Sequence, residues 1–168
     1  VTSAGADIEV NDGAALSVSK LEVAGDSKTT ITGSLSVEDL VKKAGDALSA
    51  IINIGKTGTA DEGGARGDLI LGLNSKLSGL TLFLDPTYVD GQEVTDASRL
   101  VFPSATLDGN VAVGQNSYAV LGAEDDAEFT SLFKDGTLTW GDGEGETLAA
   151  VYVGKAIDVT GGSLRVDG

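Results

Sequence analysis

Apolar residues in this chain come in short alternating runs, split again and again by glycine, asparagine, aspartate and serine. Ile8 and Val10 form the first pair, and Asn11-Asp12-Gly13 turns the chain. Leu16 and Val18, Leu21 and Val23, Ile31, then Leu35 and Val37 follow in the same manner. A period of two puts each pair on one face of a strand and the polar residues between them on the other. Strands this short do not build wide sheets by themselves. Closely spaced and joined by polar turns, they suit a coil in which each turn stacks on the last. The second half keeps the habit, with Leu69 and Leu71, Leu80, Leu82 and Leu84, Leu100 and Phe102, and Val111 and Val113 as inward candidates. Tyr118 and Val120, Leu138 and Trp140, Val151 and Val153, Ile157 and Val159, and Leu164 and Val166 complete that set.

The chain also matches itself. Asp68-Leu69-Ile70-Leu71-Gly72-Leu73-Asn74-Ser75 parallels Asn110-Val111-Ala112-Val113-Gly114-Gln115-Asn116-Ser117. Glycine and asparagine at strand corners supply the positive φ of a sharp turn. A second match pairs Ile31-Thr32-Gly33-Ser34-Leu35-Ser36-Val37 with Val159-Thr160-Gly161-Gly162-Ser163-Leu164-Arg165-Val166. That offset suits a long tandem module, so the chain would hold one module plus the overlapping start of the next, as an excised segment of something longer.

Two stretches depart from the strand period. Between Glu38 and Ile52, apolar residues from Leu40 to Ile52 recur at three and four, with Ser36 as an N-cap and Gly55 as a stop. Over 124–135, Ala127, Phe129, Leu132 and Phe133 fall similarly, with Gly136 closing. Both spacings predict short helices inserted between turns of the coil to cover apolar surface. Pro86 and Asp90-Gly91 make 85–97 a protruding loop that returns at Leu100. The expected architecture is therefore a mainly β, right-handed parallel β-helix or β-solenoid, one segment over 1–168 with two helical insertions at 38–52 and 124–135.

Composition narrows the chemistry. With no His and no Cys, the chain has no Ser–His or Cys–His nucleophile system and no imidazole or thiolate zinc site. Carboxylate chemistry, a Ser–Lys pair or an oxygen-ligated hard metal remain open. Lys+Arg number 11 against 26 Asp+Glu, a net charge of −15, which repels phosphate backbones and anionic lipid. Nucleic acid and insertion into a membrane are accordingly not expected.

Three motifs stand out. Arg66-Gly67-Asp68 is the tripeptide that integrins read, and it follows the acidic, glycine-containing stretch 61–65. Exposure at a loop tip would make Arg66, Gly67 and Asp68 a contact site. Alignment of Asp68 with Asn110 gives it a structural role instead. Acidic clusters at Glu124-Asp125-Asp126 and at Asp142, Glu144 and Glu146 offer oxygens to calcium, but the EF-hand spacing fails because Val153 stands where the closing glutamate belongs. Solvated turns explain these clusters, and no cofactor is expected. Paired carboxylates could cleave glycosides. However, most aromatics fall at inward or helical positions, and Arg66, Arg99 and Arg165 are the only arginines. The chain reads as non-catalytic.

Several stretches resemble modules of large Gram-negative autotransporter adhesins. They are Leu82-Phe83-Leu84-Asp85-Pro86, Asp96-Ala97-Ser98, Leu107 to Ser117, Leu121-Gly122, Thr139-Trp140-Gly141 and Thr160 to Gly168. The resemblance covers roughly 33–168 and is compositional. It implies a β-helical passenger at the bacterial cell surface, acting as a stalk. Its partners would be a host-cell or neighbouring-cell surface protein or glycan and the adjacent modules of the same passenger. A carbohydrate-active β-helix enzyme and a self-assembling surface-layer or fibre subunit are the alternatives.

Overall fold

The computed structural model describes residues 1–3, 5–58, 64–85, 94–140 and 148–167. Its strands alternate between two sheets as the chain advances. β1 (Ile8–Val10) lies in the first sheet and β2 (Ala15–Val23) in the second; β3 (Lys28–Ile31) returns to the first and β4 (Ser34–Lys42) to the second. β5 (Ala50–Ile54), β6 (Asp68–Leu71), β7 (Leu80–Leu84) and β8 (Ser98–Phe102) continue the alternation. After β9 (Thr106–Leu107) come β10 (Asn110–Val113) in the first sheet and β11 (Ser117–Leu121) in the second. Helix α1 (Ala127–Lys134) precedes β12 (Ala149–Val153), β13 (Asp158–Val159) and β14 (Ser163–Val166). The first sheet runs β1-β3-β5-β7-β10-β14 and the second β2-β4-β6-β8-β11-β12, while β9 pairs with β13. Among the described residues, every strand pairing is parallel.

Register explains why the period of two is so persistent. Val10, Ile31, Ile54, Leu84, Val113 and Val166 stand directly beside one another along the first sheet. Leu16, Leu35, Leu69, Leu100, Ala119 and Val151 do the same along the second. Val10 to Val113 of the first column and Leu35 to Ala119 of the second form, with Leu21, Leu40, Leu77 and Leu107, one continuous core against which Val151 packs. Each fully buried leucine or isoleucine there contributes about 1.5–3 kcal/mol relative to exposure. A slip of one residue would turn a whole column to solvent, so burial fixes the register.

The helix expected over 38–52 does not form. Residues 38–42 extend β4, Gly45 turns the chain at φ 89°, and 50–54 are β5. Two strands on either side of a turn produced the apparent spacing of three and four. β4 is held by parallel pairing to β2 and β6, and β5 by pairing to β3 and β7. Tertiary pairing thus overrides local helical periodicity, with Val41, Ile51 and Ile52 as β-branched residues suited to it. The expected N-cap, Ser36, sits inside β4. The second insertion is helical, as α1. Of the loop at 85–97, residues 86–93 lie outside the described residues, and Val94–Asp96 form a single 3-10 turn before β8.

Tyr118 and Val120 are also corrected. Ala119 and Leu121 face the core, whereas Tyr118 and Val120 face the outer side of the second sheet beneath α1. β11 is buried on both sides, so alternation could not tell one face from the other. Leu138 is exposed, and Trp140 joins the outer cluster. The self-match between 68–75 and 110–117 is one of pattern, since β6 and β10 belong to different sheets. Asn116 has the expected positive φ of 54°. Gly72 serves a close approach instead: a Cβ there would lie 2.8 Å from the Glu38 Cα.

Candidate functional site

The outer face of the second sheet carries a charged ladder. The register sets Asp68 beside Arg99, and Arg99 beside Tyr118, on successive strands β6, β8 and β11. Arg99 donates from Nε to Asp68 (3.1 Å) and from an Nη to Asp126 (2.8 Å), the residue before α1. The Tyr118 hydroxyl donates to the same Asp126 carboxylate at 2.6 Å. Arg66 donates to both oxygens of Asp68, at 2.8 and 2.9 Å. Two guanidinium groups and two carboxylates thus alternate along a chain that ends at a phenol.

Electrostatics follow from that geometry. Burial alone would lift the Asp126 carboxyl, but hydrogen bonds from Tyr118 and Arg99 and the Arg99 charge outweigh it, and Asp126 is held below the usual carboxylate range. Burial would likewise lower Arg99, yet its hydrogen bond to Asp126 and the charges of Asp68 and Asp126 raise it. Burial pushes the Tyr118 phenol well up, and the Asp126 hydrogen bond adds to this.

Beside the ladder, α1 folds an aromatic layer over the sheet. Phe129 stacks on Tyr118 with ring centroids 4.7 Å apart, Phe133 meets Phe129 and Trp140 edge-on, and Trp140 meets Tyr118 in the same way. The Trp140 indole N–H donates to the Asn116 side-chain oxygen at 2.9 Å, which locks the ring to the strand corner. Between ladder and layer lies an open cleft of about 690 Å³, lined by Arg66, Arg99, Tyr118, Asp126, Phe133, Lys134, Leu138 and Trp140 among others. Guanidinium groups beside aromatic rings suit a planar or sugar-like ligand with polar or anionic substituents. Acid–base hydrolysis needs one carboxyl raised enough to donate a proton, and Asp126 in this cleft is lowered instead. Asp68 and Asp126 are both bound by Arg99. Among the described residues, the carboxyl lifted by burial is Asp85, which follows β7 and is not in the cleft lining.

The Arg66-Gly67-Asp68 tripeptide is knitted into this wall. Gly67 is buried, its N–H donates to Ser98 Oγ at 3.0 Å, and Arg66 and Asp68 grip each other rather than spreading toward solvent. Lys56 and Ala65 exchange backbone hydrogen bonds just before it, closing the base of the preceding stretch. Of the acidic clusters, Glu124-Asp125-Asp126 does not converge on one point: Asp125 accepts from the Ala127 N–H, and Asp126 turns to Arg99. Asp142, Glu144 and Glu146 lie outside the described residues. Among the described residues, no three acidic side chains gather as a metal would require.

Sequence reasoning missed Arg99, Tyr118, Asp126 and Trp140 as one site. The available signal was that Arg66 and Arg99 are two of only three arginines in a strongly acidic chain. The described residues define a mainly β chain with two six-stranded parallel sheets, a two-stranded third, and an Arg–aromatic cleft on one outer face. No family model matches it, and neither a curated protein nor a solved structure is similar to it.

Proposed function

We propose that this chain is a right-handed parallel β-helical segment serving as a non-catalytic structural and adhesive module of a bacterial surface autotransporter passenger. The observation that carries the reading is the regular passage of the chain between two parallel sheets with apolar columns in register. A strand returning to the same sheet in parallel must cross over, and such crossovers are right-handed in almost all proteins. Stacked turns extend along one axis, which is what a stalk needs, and the acidic exterior keeps its sides apart from one another. The resemblance of 33–168 to autotransporter adhesin modules supports placing the segment outside the cell.

In this reading the contact surface is the Arg–aromatic cleft, and the partner is a surface protein or glycan of a host or neighbouring cell. Arg66 and Lys134 at its rim would meet anionic groups while Phe133 and Leu138 meet an apolar or ring face. Antibody against the segment should label intact cells of the source bacterium, and external protease should remove the signal. Beads carrying the chain should adhere to host cells or to a glycan array, and Lys134→Glu should reduce adherence. Labelling only after lysis, or turnover of acidic polysaccharides by the purified chain, would sink the proposal.

A further inference from the structure

The cleft beside α1 is a cationic spot on a strongly acidic chain. Its described lining carries Arg66, Arg99 and Lys134 against one carboxylate, Asp126, although acids outnumber bases 26 to 11 in the sequence. One Asp126 oxygen already accepts from both Arg99 and the Tyr118 hydroxyl. A guanidinium offers five N–H donors, and Asp68 and Asp126 take two of those on Arg99. Lys134, in the last turn of α1, is exposed and has no ion-pair partner among the described residues. Cations with bonding capacity to spare select an anion.

The rest of the lining narrows the chemistry of that anion. Phe133, Leu138 and Trp140 present apolar surface that a bare inorganic ion cannot use. A carboxylate has about four lone-pair sites, so Asp126 keeps acceptor capacity and repels an anion that brings no hydroxyl or amide donor. Thr130 and Thr139 add hydroxyls. A negative group, hydroxyl donors and an apolar ring face together satisfy this lining. The space, about 690 Å³, falls within the roughly 300–1,000 Å³ usual for small-molecule sites. A polymer charged on every unit fits less well, because the part leaving the cleft meets the acidic remainder of the surface.

We infer that the cleft binds the terminal sugar acid of a cell-surface glycan, a single pyranose with one carboxylate, held by Arg99 and Lys134 with its ring against Phe133 and Leu138. This names the ligand of the contact surface proposed above and rests on that reading. Asp126 and the two threonines take the sugar hydroxyls. The walls stand before the ligand arrives. Asp126 ties the start of α1 to Arg99 and Tyr118, Glu128 accepts from the Tyr152 hydroxyl at 2.6 Å, and buried Phe129 packs on Tyr118. Walls fixed in advance lower the ordering cost of binding.

Trp140 is the one tryptophan of the chain and lines the cleft, so its fluorescence reports occupancy. The whole chain is titrated at physiological salt with the methyl glycosides of N-acetylneuraminic acid and of glucuronic acid. Methyl glucoside serves as the uncharged sugar, benzoate as the flat apolar acid and a heparin hexasaccharide as the dense polyanion. At least one sugar acid should saturate, and each of the other three should bind at least about tenfold more weakly. Lys134→Gln removes a charge-assisted hydrogen bond at an exposed position and should weaken the sugar acid about tenfold. Arg99→Lys should do the same, with circular dichroism reporting whether the fold is kept; if it is lost, Lys134→Gln decides. Flat titrations with both sugar acids, saturation that ignores Lys134→Gln, or benzoate or hexasaccharide binding as tightly would each overturn the inference. Adhesion of chain-coated beads to host cells separates it from the contact reading. Adhesion that depends on Lys134 alongside flat titrations refutes the sugar acid and leaves the contact surface standing. Saturation that obeys the substitutions without adhesion keeps the sugar-acid site and removes the adhesive role, and failure of both assays removes both.

Discussion

Replacing Gly67 by alanine puts the packing of the tripeptide wall to a quantitative test. A Cβ at Gly67 would fall deep inside contact distance of the Ile31 carbonyl oxygen and 2.5 Å from the Gly55 nitrogen, both backbone atoms. Those two atoms are themselves hydrogen-bonded at 2.7 Å, so the added methyl would strike a bond between neighbouring turns. Overpacking of this kind costs about 1–3 kcal/mol. Loss of the Gly55–Ile31 bond adds about 0.5–1.5 kcal/mol. Stiffening of the unfolded chain by alanine returns about 0.4–1 kcal/mol. The net expectation is a loss of about 2–3 kcal/mol, or about 4–12 °C in Tm for a domain of this size. Urea unfolding followed by circular dichroism measures it. Gly13→Ala is the reference, because Gly13 has φ +74° but nothing within 4 Å of an added Cβ. Gly67→Ala losing no more stability than Gly13→Ala would refute the close-approach argument. It would also return the tripeptide to consideration as an open loop tip.

Other consequences follow from the ladder and the helix. Asp126 is depressed, so its contribution to stability is present above the unfolded carboxylate value of about 3.9 and is lost as pH falls through the lower folded value. Asp126→Asn should therefore flatten the acid limb of a urea-stability profile between pH 5 and pH 2; Asp85, raised mainly by burial, works in the opposite sense. Tyr118 is raised, so its stabilisation is present below the ordinary phenol range near 10 and is lost as pH rises through its folded value. In an absorbance titration at 295 nm, Tyr118 should resist ionisation until the protein unfolds, and Tyr118→Phe should diminish that late step. Phe129→Ala should release α1, since eight residues do not hold a helix alone and a buried phenylalanine is worth about 3–5 kcal/mol. Trp140 emission should shift to the red while amide protection in β5 and β7 persists.

The mainly β class was legible because core columns repeat every second residue, and that period survives in sequence wherever one strand face is buried. Leu80, Leu82 and Leu84, or Val111 and Val113, could be assigned to the interior without coordinates. α1 was legible for the same reason, since its apolar residues face one sheet. The stretch 38–52 was not, because two alternations flanking a turn imitate a helical stripe and only pairing with β2, β3, β6 and β7 decides between them.

Alternation and turn residues by themselves determined that this is a mainly β protein with an acidic exterior and without imidazole or thiolate chemistry. Only tertiary structure decided which turns lie beside which. Asp68, Arg99 and Tyr118 meet because parallel strands stack in register, across sequence gaps set by turns of unequal length. The same stacking buried Gly67, turned Tyr118 away from the core, and placed Glu9 and Arg165 at opposite ends of one column. A period of two says that a residue faces in or out; strand pairing alone says next to whom.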